Sequence, residues 1–289
     1  MLDNLSTGDI HNIIRLVEGD LEFIEGDIYD VRQCVDACEG IDYILHQAAL
    51  GSVPRSIKEP VLYFENNVEG TLNLLYAAKS ANVKRFVFAS SSSVYGGCCN
   101  QRIPKDEYIG LSPLSPYAIS KQIGENYCQY MNVAYGLPVI ILRYFNVFGP
   151  RQDPNSEYSA VIPKFIDAAL RHRTLTINGL GNHKRDFTYV DNVVQANLSA
   201  CNIDEFYCGN VYNVATGNSI DLNYLAKTIL KETKSRANIL YGPAREGDVL
   251  ESFASIKRSV GHDIITDITH FHAGIKETIA WYAKKLKEK

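Results

Sequence analysis

The chain has 289 residues, 46% hydrophobic and 21% charged, with a formal net charge of −4. That composition belongs to an ordinary globular protein, long enough for one large domain or two smaller ones. It holds no long basic run to suggest a nucleic-acid partner, no apolar stretch near the roughly 20 residues that span a bilayer, and no signal peptide.

Seven cysteines, an odd number without metal-ligand spacing, predict a reduced, cytoplasmic chain. Cys34 and Cys38 are four apart, Cys98 and Cys99 adjacent, and His270 and His272 two apart, so no metal site is expected.

In chain order, MLDNLSTGD reads as the exit of a β-strand followed by turn chemistry, although no strand precedes Leu2-Asp3-Asn4. Leu21–Ile28 and Ile41–Ala49 are short apolar strands. Asn67–Ser80 is a helix whose Leu72, Leu75, Tyr76 and Ala78 fall near one face. Arg85–Ser90 is a strand that runs into a serine-rich turn. Tyr117–Tyr135 is a helix, capped by Ser115 with Pro116 at its first position. Val139–Phe145 is a strong strand. Near-continuous apolar strands alternating with helices predict an α/β fold with a doubly wound parallel sheet, buried on both faces.

After Gly149 prolines break the rhythm, and Tyr212–Thr216 reads as one more strand returning to the sheet. The predicted division is a nucleotide-binding domain of residues 1–149 and 187–217 and a smaller mixed lobe of 150–186 and 218–289. In doubly wound folds ligands sit beyond the carboxyl ends of the strands, which places Asp27, Gln47, Ala48, Ser91 and Asn146 on one rim.

The sharpest motif is Tyr117-Ala118-Ile119-Ser120-Lys121. A tyrosine and a lysine four apart share a helix face. A neighbouring ammonium favours the phenolate, so the spacing predicts a lowered tyrosine pKa and a general base usable near neutral pH. Alone, the same spacing fits any amphipathic helix. Upstream, Ser90 to Ser93 leave a strand and present hydroxyls at the rim, where one can align a substrate hydroxyl for Tyr117. A serine-rich turn that caps backbone groups has the same composition.

The serine cluster, SPYAISK and LRYFNVFGPRQDP resemble the extended short-chain dehydrogenase/reductase family, specifically its NAD-dependent nucleotide-sugar 4-epimerases. Eleven words follow the family's order: LDNLSTG, EGDI, HQAALGSVPRS, ENNVEGT, SSSSVYG, SPYAISK, RYFNVFGPRQDP, YSAVIPKF, RDFTYV, YNVATG and REGDV. GSVPRS resembles in particular the UDP-N-acetylglucosamine/UDP-N-acetylgalactosamine 4-epimerases. The resemblance implies reversible inversion at C4 of a UDP-sugar through a 4-keto intermediate, with bound NAD. It also implies a cytoplasmic homodimer packed through the helices near 67–80 and 117–135, which carry Leu72, Leu75, Tyr127 and Tyr130.

It implies site residues as well. Tyr117 matches the base, Lys121 its partner, Ser91 the substrate-aligning serine, and Ser92 its neighbour. On the cofactor side Asp3 with Asn4 matches the adenosine-ribose site, Asp27 and Ile28 the pair flanking adenine, and Gln47, Ala48 and Ala49 the loop under pyrophosphate and ribose, with Asn66 and Phe145 also at cofactor positions. On the substrate side the matches are Ser52, Asn146, Ala160, Val161, Lys164, Arg185, Arg245 and Asp248. Arginine suits a diphosphate because its planar fork is always charged. Ser252 matches the position where a bulky residue narrows the sugar pocket of glucose-only epimerases, and a serine leaves room for an acetamido group.

The chain departs from the family at its start. The first strand, the G-x-x-G-x-x-G loop that cradles pyrophosphate and the first helix have no counterpart before Leu2-Asp3-Asn4. The expectation is a truncated or mis-started epimerase with weakened NAD binding, unstable because a central parallel strand is lacking. Other readings are a UDP-uronate epimerase or decarboxylase, with Arg55 meeting the substrate carboxylate, or a catalytically impaired nucleotide-sugar binding protein. A 4,6-dehydratase lacks support, because Ser91-Ser92-Ser93 stand where that activity needs a carboxylate.

Overall fold

The structure, a computed structural model, describes residues 1–14, 19, 21–96, 104–154, 160–244 and 250–288. In chain order the elements are β1 (Leu2–Asp3), β2 (Ile24–Glu25), α1 (Val31–Cys38), β3 (Tyr43–His46), α2 (Val53–Lys58), α3 (Pro60–Phe64), α4 (Gly70–Ser80) and β4 (Arg85–Ser91). After α5 (Pro116–Tyr135), β5 (Val139–Tyr144) and β6 (Val147–Phe148) come α6 (Val161–Leu170), β7 (Leu175–Asn178), β8 (Lys184–Arg185), β9 (Thr188–Tyr189) and α7 (Val190–Asn202). The chain continues through β10 (Val211–Val214), β11 (Ile220–Asp221), α8 (Leu222–Glu232), β12 (Ile239–Gly242) and β13 (Glu251–Ser252) to α9 (Lys257–Gly261) and α10 (Phe271–Lys287).

Two compact units divide the chain: Met1–Gly96, Leu111–Arg143 and Asn197–Tyr212 form the first, and Gly97–Gly110, Tyr144–Ala196 and Asn213–Lys289 the second. The central sheet has the order β10-β5-β4-β3, with β3 parallel to β4, and β1 runs parallel to β2 in a ladder of its own. This is the Rossmann-like α/β fold that the alternation predicts.

Two predicted strands are shorter than expected, Ile24–Glu25 within Leu21–Ile28 and Tyr43–His46 within Ile41–Ala49. Among the described residues β1 and β2 pair only with each other and β3 only with β4. A strand laddered on one side keeps few hydrogen bonds, and Tyr43 and Leu45 of β3 stay 44% and 43% exposed.

The first unit's core lies where α1, α4 and α5 meet the sheet: Leu75, Phe86, Phe88, Met131 and Ile141 are wholly buried. Burying each such side chain stabilises the fold by roughly 1.5–3 kcal/mol. The buried face of α4 differs from the predicted one. Leu74, Leu75, Ala77 and Ala78 turn inward, whereas Tyr76 is 44% exposed. A single π turn over Glu65–Glu69 precedes α4 and rotates its register.

Helix α5 starts as predicted, with Ser115 Oγ accepting from Ala118 N–H. It ends at Gly136, whose φ of 68° closes the last turn at no Cβ cost. In the second unit α6, α8 and α10 surround a separate core containing Phe148, Ile166, Ile177, Leu225 and Ile275. No helix among the described residues is long and apolar enough to cross a membrane.

Candidate active site

Three residues from two elements of the first unit meet at the carboxyl end of β4. Ser91 closes β4 and caps the short turn Ser92–Tyr95. Its Oγ accepts from Ser93 N–H at 3.2 Å and from Ser93 Oγ–H at 2.9 Å. A hydroxyl has two acceptor pairs and one proton, so the Ser91 proton is left for Tyr117, with which it hydrogen-bonds. The Tyr117 ring stands edge-on to Tyr63, with centroids 6.4 Å apart. Ser92, half-buried, opens the turn beside Ser91.

Lys121 lies one helical turn on and is 5% exposed. Its Nζ donates to Ala89 O at 2.8 Å and sits 5.1 Å from the Phe88 ring centroid. Burial lowers its pKa to about 8, with Cys128 and Glu125 acting in the opposite direction.

The tyrosine pKa corrects an expectation. It is raised, not lowered: burial is the dominant cause, Tyr63 adds to it, and only the Ser91 hydrogen bond opposes it. The reason is desolvation, since the phenol is buried and a buried phenolate is disfavoured. Tyr117 therefore carries its proton at neutral pH in the unliganded chain.

The cofactor-side residues gather around a cavity of about 160 Å³ in the same unit, lined by Asp3, Asn4, Asp27, Ile28, Gln47, Ala48, Ala49 and Asn66 among others. Asp3 Oδ1 accepts from Leu5 N–H at 2.8 Å, which leaves Oδ2 as an acceptor at the wall. Asn4 Nδ2 donates to Asp27 Oδ2 at 2.8 Å, and Gln47 Nε2 to Asn197 Oδ1 at 3.0 Å. Two carboxylates beside aliphatic walls suit an adenosine, whose hydroxyls and amine donate while its ring needs apolar contact. Ser6 and Thr7 also line this cavity and were not foreseen. Phe145, expected on the cofactor side, is wholly buried in the second unit.

The loop after β3 is held by Asn67, a residue the sequence reading passed over in favour of its neighbour. Its Oδ1 accepts from Leu50 N–H at 2.8 Å, and its Nδ2 donates to Leu50 O at 3.1 Å and Ser120 Oγ at 3.0 Å. It thus ties the cavity wall to the helix that carries Tyr117. Ser52 caps α2, and its N–H donates to Tyr63 Oη at 3.1 Å, which links it through one ring to Tyr117. Arg55 is engaged by Glu59 at 2.9 Å.

In the second unit a cavity of about 230 Å³ is lined by Asn146, Ala160, Val161 and Arg185, with Phe148, Phe187 and Leu222 as apolar walls. Asn146 takes a left-handed φ of 30° and donates through Nδ2 to Asp186 O at 3.0 Å. Ser252 lies in register with Arg185 across the β13–β8 ladder. Lys164, half-buried on α6, is not among that cavity's lining residues. Arg245, Asp248, Cys98 and Cys99 lie outside the described residues. His272 bonds Tyr224 Oη at 3.0 Å.

One unit holds an arginine beside aromatic walls, and the other a serine–tyrosine–lysine constellation and a cavity with two carboxylates. The sequence profile of the NAD dependent epimerase/dehydratase family matches residues 2–215. The chain belongs to that family.

Members of the epimerase/dehydratase family are also its structural neighbours. A UDP-N-acetylglucosamine 4-epimerase from Methanobrevibacter ruminantium M1, solved with UDP-N-acetylmuramic acid, is 38% identical and superposes with a TM-score of 0.93 over 98% of this chain and 90% of that one. A UDP-glucose 4-epimerase from Thermotoga maritima, solved with UDP-glucose, is 32% identical with a TM-score of 0.92 over 99% and 90%. A Thermus thermophilus UDP-glucose 4-epimerase complexed with NAD is 31% identical with a TM-score of 0.86 over 97% and 89%. The protein is accordingly an enzyme that acts on a nucleotide sugar, and NAD is its cofactor.

Proposed function

We propose that the enzyme interconverts C4 epimers of a UDP-sugar, with UDP-N-acetylglucosamine and UDP-N-acetylgalactosamine as its substrates. The observation that carries this reading is the Ser91–Tyr117–Lys121 arrangement, in which Ser91 has its acceptor pairs filled and its proton free for the phenol oxygen.

Bound NAD supplies the acceptor, and then the donor, of the C4 hydride. The protein supplies proton handling and position. Tyr117 Oη takes the 4-hydroxyl proton, the 4-keto sugar presents its other face, and Tyr117 returns the proton to the new hydroxyl. Ser91 steadies the phenolate by donating to it, and Lys121 sets a positive charge one helical turn away. Because burial holds the phenol protonated, the base form depends on cationic charge at the site.

In this reading Asp3, Asn4, Asp27, Ile28, Gln47, Ala48, Ala49 and Asn66 serve the cofactor, whereas the wholly buried Phe145 side chain has no face to offer it. Ser52, Asn146, Ala160, Val161, Lys164, Arg185, Arg245 and Asp248 serve the nucleotide-sugar. The first unit would serve NAD and the second the substrate, although 97–110, 144–149, 187–196 and 213–217, predicted in the NAD domain, fall in the second unit. The test is incubation with UDP-N-acetylglucosamine and NAD, followed by separation of the C4 epimers; substrate binding without any epimer would leave a binding protein instead.

Ser252 is the proposed reason for N-acetyl tolerance, standing beside Arg185 in the β13–β8 ladder. Ser252→Tyr is expected to lower kcat/KM for the N-acetylated sugar by about 10–200-fold, the scale set by steric fit in a pocket, while turnover of plain UDP-glucose persists. Equal losses on both sugars would remove Ser252 from specificity.

A homodimer is part of the proposal. Tyr76 of α4 and Tyr130, Val133 and Tyr135 of α5 are 44%, 51%, 86% and 44% exposed, and the three tyrosines cluster together. Leu75, by contrast, is core. Tyr130→Glu is expected to yield a monomer by light scattering, and an unchanged mass would place any interface elsewhere.

A further inference from the structure

Helix α5 carries a third ionisable residue in step with Tyr117 and Lys121. Glu125 follows Lys121 by four, as Lys121 follows Tyr117, so all three lie along one face. It is 2% exposed. Its carboxylate accepts from Arg143 Nε at 2.8 Å, from Arg143 Nη2 at 2.6 Å and from Ser90 Oγ. Ser90 immediately follows Ala89, whose carbonyl seats Lys121, and immediately precedes Ser91. Arg143 itself lies 4.7 Å from the Tyr95 ring centroid. One buried carboxylate thus anchors the strand end that presents Ser91 and the carbonyl on which Lys121 is seated.

We propose that Glu125 is a positioning residue of the active site: it keeps the buried Lys121 a charged ammonium seated on the Ala89 carbonyl, while Arg143 and Ser90 hold the carboxylate in place. This rests on the epimerase reading above, in which Lys121 must be cationic for Tyr117 to act as a base.

Of the groups that favour the Lys121 ammonium, Glu125 is the one that carries a charge. Burial disfavours the Lys121 ammonium, and the opposing influences are Cys128 and Glu125. The Cys128 thiol is itself pushed well above its usual range by burial, so it stays neutral and brings no charge. His46 on β3 is driven to about 3, first by burial and then by Lys121, and is also neutral. Arg143 on β5 is bound to Glu125, Tyr63 on α3 faces the Tyr117 ring, and Asn67 in the 65–69 turn bonds Ser120.

Removing the carboxylate charge makes the ammonium harder to keep, so Lys121 loses its proton at lower pH. The test is a titration of the Lys121 ε-carbon by NMR in the unliganded protein, with the signal assigned by its loss in Lys121→Met. In Glu125→Gln the midpoint is expected to fall by about one pH unit or more. The alkaline limb of kcat/KM is expected to move in the same direction. A midpoint that stays put while the melting temperature drops would overturn the proposal and make Glu125 a purely structural anchor.

Should the single variant fail to fold, the pair Glu125→Gln with Arg143→Met removes both buried charges. It is expected to show a smaller downward shift, because the Arg143 cation that opposes the ammonium is removed as well, and an unshifted or raised midpoint there overturns the proposal equally. If the wild-type protein turns over no UDP-sugar while the Lys121 midpoint still depends on Glu125, the epimerase reading falls and the electrostatic coupling stands.

Discussion

Tyr117→Phe is expected to lose about 10²–10⁴-fold or more in kcat, the contribution of a positioned general base, while UDP-sugar affinity is unchanged. The substitution removes one oxygen atom and keeps the ring. The edge-on contact with Tyr63 therefore survives, as do the Ser115 cap and the backbone of α5. What disappears is the acceptor for the 4-hydroxyl proton. Substrate binding is measured by calorimetry with the UDP-sugar, and turnover by epimer separation. Retained turnover would mean that another group takes the proton, and it would remove the role assigned to Tyr117. The pH profile provides a second check. Because burial favours the protonated phenol, activity should climb with pH as the phenol ionises, and Phe at this position should abolish that rise.

The second large effect concerns stability. Asp186, fully buried in the second unit, follows Arg185 and accepts four hydrogen bonds. Its Oδ1 takes the Thr216 N–H at 2.9 Å and the Thr216 hydroxyl at 2.7 Å, and its Oδ2 takes Gly217 N–H at 3.0 Å and Ala254 N–H at 3.3 Å. Burial pushes its carboxyl up, and these donors pull it back down. Its backbone N–H also donates to Ser252 O at 3.0 Å, and its carbonyl accepts from Asn146. Asp186→Ala strands those donors where water does not reach.

At about 1–3 kcal/mol for each unsatisfied buried group, and with partial relaxation, the expected loss is on the order of 3–5 kcal/mol. Against a total of about 5–15 kcal/mol this is decisive. A denaturant titration reads it directly. A change of less than about 1 kcal/mol would mean that the Thr216–Gly217 turn is held by something else. The loss should also weaken nucleotide-sugar binding, since Arg185, Asn146 and Ser252 are all joined to Asp186 through the backbone or a direct hydrogen bond.

Much of the site could be read from the chain as written. The alternation of apolar strands and helices, the Ser115-Pro116 helix start, the serine run leaving β4 and the Tyr117–Lys121 spacing are local signals. Local signals survive because each depends on neighbours within about one helical turn or one strand. The cofactor-side set from Asp3 to Asn66 gathers around one cavity for the same reason. Asp3, Asn4, Asp27, Ile28 and Gln47 to Ala49 lie at or just past the ends of β1, β2 and β3, where parallel strands place their ligands, and Asn66 joins them from the turn before α4.

Other features were decided by groups far apart in sequence. The inward face of α4, with Leu74, Leu75, Ala77 and Ala78, was set by the core it packs against. Asn67, rather than Asn66, braces the Leu50 loop because only its side chain is turned inward. The direction of the Tyr117 shift was set by burial, with Tyr63, 54 residues earlier in the chain, adding to it. Sequence alone determined which residues could do chemistry and on which elements they ride, since spacing along one element is a local property. Tertiary structure decided their charge states and partners, because desolvation and hydrogen bonding depend on what packs against a group and not on what precedes it in the chain.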